Sequence, residues 1–123
     1  ENVGLRTKNN VLFDLPEYVA LFDIFPQAGA LLDTGHAHVN GWDIPAVVKA
    51  LGERLAACHV HDNDGNGDAH LPVGQGDIDW AAYFDAVKKY APQATQVFEY
   101  CCGFNNTKDL EAHIAELKED YKL

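Results

Sequence analysis

Apolar positions along this chain fall into two kinds of pattern. Three short runs, at 28–33 (AGALLD), 55–62 (LAACHVHD) and 95–100 (TQVFEY), are mostly apolar, and each finishes on a carboxylate, an imidazole or both. Runs of this length without polar alternation predict strands covered on both faces, as in a parallel sheet. Between them the apolar residues recur at helical spacing. Tyr18, Leu21, Phe22 and Phe25 predict a helix over about 15–25, ended by Pro26. Ile44, Val47, Val48 and Leu51 predict a second helix within 43–54, with Asp43 as N-cap and Pro45 in its first turn. Trp80, Phe84 and Val87 mark a third over about 79–90, and Leu110, Ile114, Leu117 and Tyr121 a fourth over about 107–121.

The predicted order alternates helix and strand, so the fold class is α/β, built from repeated parallel β/α units. The connection 62–78 breaks the rhythm. It is too long for a routine turn, and it reads DNDGNGDAHLPVGQGD, rich in Asp, Gly and His. Long ordered loops in compact domains usually carry function.

Composition narrows the classes. With 123 residues, 47% of them hydrophobic, the chain can bury one ordinary core and not two. No apolar run approaches the roughly 20 residues of a membrane span, and no leader pattern is visible, so neither a membrane nor secretion is expected. A net charge of −10 argues against nucleic acid, whose phosphates are neutralised by Lys and Arg. Three cysteines, two of them adjacent, make no disulfide framework, and they read as reduced thiols of a cytoplasmic protein. Cys58 reads as a small core residue.

In β/α folds the loops that follow the strands converge, and ligands bind there. Asp33 and His36, His59 and His61, and Glu99 fall at those ends; the long loop adds Asp68 and His70, and Glu1 opens the chain as if it ended a strand. Taken singly, each has a plainer reading. Asp33 could cap a turn, His36 and His38 could be surface histidines, Gly74 and Gly76 could be turn glycines, and His113 reads as a surface residue. Taken together, carboxylates and imidazoles on one rim repel or desolvate each other unless a cation lies between them. Asp, Glu and His without thiolate suit Mn, Co, Mg or Zn.

LLDTGHAH, HVHDNDGNGDAHLPVGQGDIDW and the run ending in Glu99 resemble, in order, the second half of the xylose-isomerase-like TIM-barrel superfamily. That superfamily holds sugar and sugar-phosphate isomerases and epimerases together with endonuclease IV. The resemblance implies one domain over 1–123, from the end of a fifth strand through an eighth helix. It implies that Glu1, Asp33, His59 and Glu99 bind one divalent metal, with Glu1 and Glu99 also moving a proton at a substrate carbon. His36, Asp68 and His70 match residues that hold a further zinc in endonuclease IV, although in isomerase relatives hydrogen bonding of the loop is the plainer expectation. Where epimerases of free ketoses place an arginine after the strand-seven histidine, this chain reads Asn63-Asp64-Gly65-Asn66.

The function implied is a metal-dependent sugar or sugar-phosphate isomerase or epimerase. The alternatives are a zinc-dependent phosphodiester hydrolase of the endonuclease IV type, or a non-catalytic association module. A TIM barrel needs about 250 residues. A half-barrel leaves open sheet edges, so a homo-oligomer or a missing N-terminal half is expected, and turnover by this chain alone is not.

Overall fold

The structure, a computed structural model, describes residues 1–4 and 14–123. In chain order it contains α1 (Leu15–Ile24), β1 (Ala30–Asp33), α2 (Thr34–Val39), α3 (Ile44–Leu51), a 3-10 turn (Gly52–Arg54), β2 (Leu55–Val60), α4 (Trp80–Tyr90), β3 (Thr95–Phe98) and α5 (Thr107–Tyr121). The three strands form one parallel sheet in the order β1-β2-β3. Asp33 lies opposite His59. Val60 lies opposite Phe98, and the Glu99 amide then donates to Val60 O at 3.1 Å. The register therefore brings Asp33, His59 and Glu99 to one end of the sheet, as the repeated strand endings predict.

Besides α2, three helices begin where a side-chain oxygen can take up a free amide. Asp43 caps α3 through Ala46 N, Asp79 caps α4 through Ala82 N, and Asn106 caps α5 through Lys108 N and Asp109 N. Each such cap contributes about 1 kcal/mol. The core lies between the sheet and its helices. Leu32, Leu55, Cys58 and Val60 of the strands are fully buried, and so are Val47 and Val48 of α3 and Tyr83 and Phe84 of α4.

Several expectations need correction. Phe25 is 48% exposed and caps α1 from outside, because the helix stops at Ile24 and the chain turns away toward Pro26. The segment after β1 is a six-residue helix, α2, and not a loop; Asp33 caps it by accepting from His36 N. His113 is half-buried, packed on Phe104 and hydrogen-bonded to the Tyr100 hydroxyl at 3.3 Å. Residues 1–4 form no strand. Instead the buried Asn2 side chain pairs with Asp33 as a strand would, accepting from Asp33 N at 2.8 Å and donating to Asp33 O at 3.1 Å.

Candidate metal centre

Glu1 reaches the sheet through that Asn2 pairing, which fixes the backbone next to it against the end of β1. Around His59 Nδ1 stand three carboxylate oxygens: Glu99 Oε2 at 3.5 Å, Glu1 Oε1 at 3.6 Å and Asp33 Oδ2 at 3.7 Å. Glu1, Asp33 and His59 offer ligand atoms within 4.8 Å of one another. Glu99 also lies within 4.8 Å of His61 and His70, so it stands between two groups. Asp33 is 1% exposed on its side chain, whereas Glu1 and Glu99 are open to solvent.

Among the described residues, the ion-pair partners of these carboxylates are histidines alone. Three carboxylates and one imidazole nitrogen, gathered without thiolate, are the donor set of a hard or borderline divalent cation. The residues present fit such an ion.

His61 is the residue that sequence reasoning left without a role. It is fully buried, its Nε2 is 3.1 Å from the Asp33 carboxylate, and its ring stacks on His70 with centroids 3.8 Å apart. A signal was available, since residues i and i+2 of a strand share a face and His59 already pointed into the site. Burial alone would push the Asp33 carboxyl up, but the His61 hydrogen bond, the His36 amide and both imidazole charges outweigh it and leave it below its ordinary value. Burial likewise pushes His61 down, and the Asp33 bond and charge, with Asp68 and Glu99 behind, bring it out above. A metal-free site thus favours an Asp33 carboxylate against a His61 imidazolium.

The second group is centred on Asp68. Its Oδ2 lies 3.1 Å from His36 Nε2 and 3.2 Å from His70 Nε2, which are hydrogen-bond distances. Its Oδ1 faces His61 Nδ1 at 3.7 Å, and neither buried atom has a hydrogen-bond partner among the described residues. His36 links the two groups, because its Nδ1 donates to Asn2 O at 3.1 Å and lies 3.6 Å from both Glu1 and Asp33. The resemblance offered His36, Asp68 and His70 as a zinc triad or, more plainly, as hydrogen-bonding residues that order the loop. They meet pairwise through Asp68, while the tight group that closes there is His61, His70 and Glu99.

The long loop owes its shape to Asp62. This buried carboxylate accepts from the amides of Asn63, Gly74, Gly76 and Ile78 and from Trp80 Nε1, and its backbone pairs with Leu71. Gly74 and Gly76 are turn glycines, as predicted. Gly74 has φ +87°, and a Cβ on Gly76 would overlap Asp62 and Asn63. Their amides cradle an anion, but the anion is the chain's own side chain.

The family described as xylose isomerase-like TIM barrel matches residues 2–119. An uncharacterized protein of Methanocaldococcus jannaschii is 36% identical over 88 residues, 72% of this chain and 33% of its own length. Among solved structures, a D-allulose 3-epimerase from Methylomonas sp. superposes with a TM-score of 0.77 at 22% identity, over 98% of this chain and 47% of that one. A structure of the Methylomonas D-allulose 3-epimerase in complex with D-allulose gives 0.68 at 24% identity, over 93% and 38%. At such identities the likeness is one of fold: parallel β/α units of a TIM barrel. The chain spans about a third of the length of the curated relatives and less than half of these solved structures.

Proposed function

This chain belongs to the xylose isomerase-like TIM-barrel family, and from that premise we propose that it is the C-terminal half of a barrel that isomerises or epimerises a sugar or sugar phosphate with a divalent metal. The observation that carries this reading is the convergence of Glu1, Asp33 and Glu99 on one nitrogen of His59. The likeness to a structure holding D-allulose supports a small sugar as the ligand class.

The residue roles follow from exposure. Asp33 and His59 are the less exposed pair, and Asp33 is held from behind by His61 and Asn2, so these two would serve as fixed ligands. A bound divalent cation would supply polarisation of the substrate's carbonyl and neighbouring hydroxyl, easing loss of the adjacent proton. Glu1 and Glu99 are the solvent-facing carboxylates, and each can take or give a proton at the carbon between them. His36 and Asn2 hold the Glu1 end, and the Glu99 carbonyl is held by His70 Nδ1 at 3.2 Å.

The test is exchange. With Mn present, the chain is incubated in deuterated water with free ketoses and ketose phosphates, and deuterium next to the carbonyl is followed by NMR. Exchange needs only one base and either glutamate can supply it, so it is expected from the chain and lost in the Glu1→Gln/Glu99→Gln double variant. Equal exchange by both proteins would refute the assignment.

One observation favours a second reading, the zinc-dependent phosphodiester hydrolase, and it is the meeting of His36 and His70 at Asp68. Against it stands the charge, with nine Lys and Arg against 19 Asp and Glu. Association is part of the first reading. Among the described residues β1 and β3 are the edges of the sheet, and Val97 on β3 is 40% exposed, so a partner half-barrel or a second copy is expected to cover them. Light scattering at micromolar concentration tests this, and a monodisperse monomer would contradict it.

A further inference from the structure

Beyond Glu99 the chain carries Cys101 and Cys102, both exposed and neither used by the proposed reaction. Cys101 is anchored. Its amide donates to His70 O at 3.1 Å and its thiol to Ala69 O at 3.2 Å, with the Cys102 thiol on the next residue. Both border a cavity of about 540 Å³ whose walls include the rings of Phe98, Tyr100 and Phe104.

Adjacent thiols do not readily close on themselves. A disulfide wants Cα atoms about 4.4–6.8 Å apart, whereas consecutive Cα atoms stand about 3.8 Å apart. A third atom placed between the sulfurs enlarges the ring and relieves that mismatch. Thiols are also the soft donors of this chain, in contrast with the oxygen and nitrogen donors of the metal centre. The third cysteine, Cys58, is fully buried and cannot compete.

We propose that Cys101 and Cys102 form a dithiol site for a thiophilic, trivalent arsenical bearing one organic group, with that group seated against Phe98, Tyr100 and Phe104. The arsenic needs no further protein ligand, since two sulfurs and one carbon complete its three bonds. Condensation with an organoarsenic oxide balances without a redox partner. Two S–H bonds and the As–O bonding break, two As–S bonds form, and the oxygen leaves with both protons as water.

Phenylarsine oxide titrated into the intact chain tests this, with bound arsenic counted by native mass spectrometry and free thiols counted after unfolding. One arsenical per chain is expected, with loss of two of the three thiols and release by a dithiol at concentrations where a monothiol fails. Cys101→Ser, whose hydroxyl can still donate to Ala69 O, and Cys102→Ser are each expected to lose monothiol-resistant binding, while Cys58→Ala keeps it. Wild-type binding by both serine variants, or loss of binding in Cys58→Ala, would overturn the proposal.

Discussion

Replacing Asp62 by alanine is expected to cost about 3–5 kcal/mol of stability, and the figure can be built donor by donor. The carboxylate accepts from Trp80 Nε1 at 2.8 Å, Asn63 N at 2.9 Å, Gly76 N at 2.9 Å, Gly74 N at 3.0 Å and Ile78 N at 3.3 Å. The Gly74 and Gly76 bonds are only partly buried, so water can replace them. The other three donors are sealed, and a buried donor left without a partner costs about 1–3 kcal/mol. The long Ile78 bond counts least. Asparagine keeps one acceptor oxygen but presents an amine to the remaining donors, so Asp62→Asn should cost about half as much. Urea unfolding of the three proteins gives the differences, with an unchanged denaturant slope as the check on the unfolded state. Total stabilities are about 5–15 kcal/mol, so the alanine variant could unfold outright, and the asparagine variant then carries the measurement. If the alanine variant folds and lies within about 1 kcal/mol of wild type, the loop is not held by this carboxylate.

Further outcomes follow from the same geometry. In the metal-free protein His61 is raised by Asp33, so its contribution is full below its unfolded value and is lost as pH rises through the folded one. Asp33 is lowered, so its contribution is present above its unfolded value and is lost as pH falls through the folded one. Denaturation midpoints against pH should therefore show both limbs, and His61→Gln should lose the alkaline one; an unchanged alkaline limb would refute the pairing. Gly35→Ala places a Cβ on the His61 ring, so it should destabilise by about 1–3 kcal/mol despite alanine's higher helix propensity, and a neutral or stabilising result in urea unfolding would contradict that close approach.

Much of the fold was legible because apolar runs and stripes report burial directly. α4 and α5 follow their apolar stripes, and the parallel register follows three runs that end alike. α2 was not legible, since THR-GLY-HIS-ALA-HIS-VAL at 34–39 has neither length nor stripe and is nucleated by Asp33 from the preceding strand. The convergence on His59 could be read from strand endings. The support behind it could not, because Asn2, His61 and Asp62 act through contacts across 28 or 31 residues, or around a loop whose path no spacing rule describes. His61 is the exception in principle, as its two-residue spacing from His59 places both on one face.

The central claim is that His59 and the three carboxylates around it bind one divalent cation. Calorimetric titration of Mn into the metal-free protein and into His59→Ala tests it most directly. The account predicts a single site in the wild-type chain and marked weakening in the variant, with the fold retained because His59 is only partly buried. Equal binding by the two proteins would mean that the histidine is structural and that the site lies elsewhere.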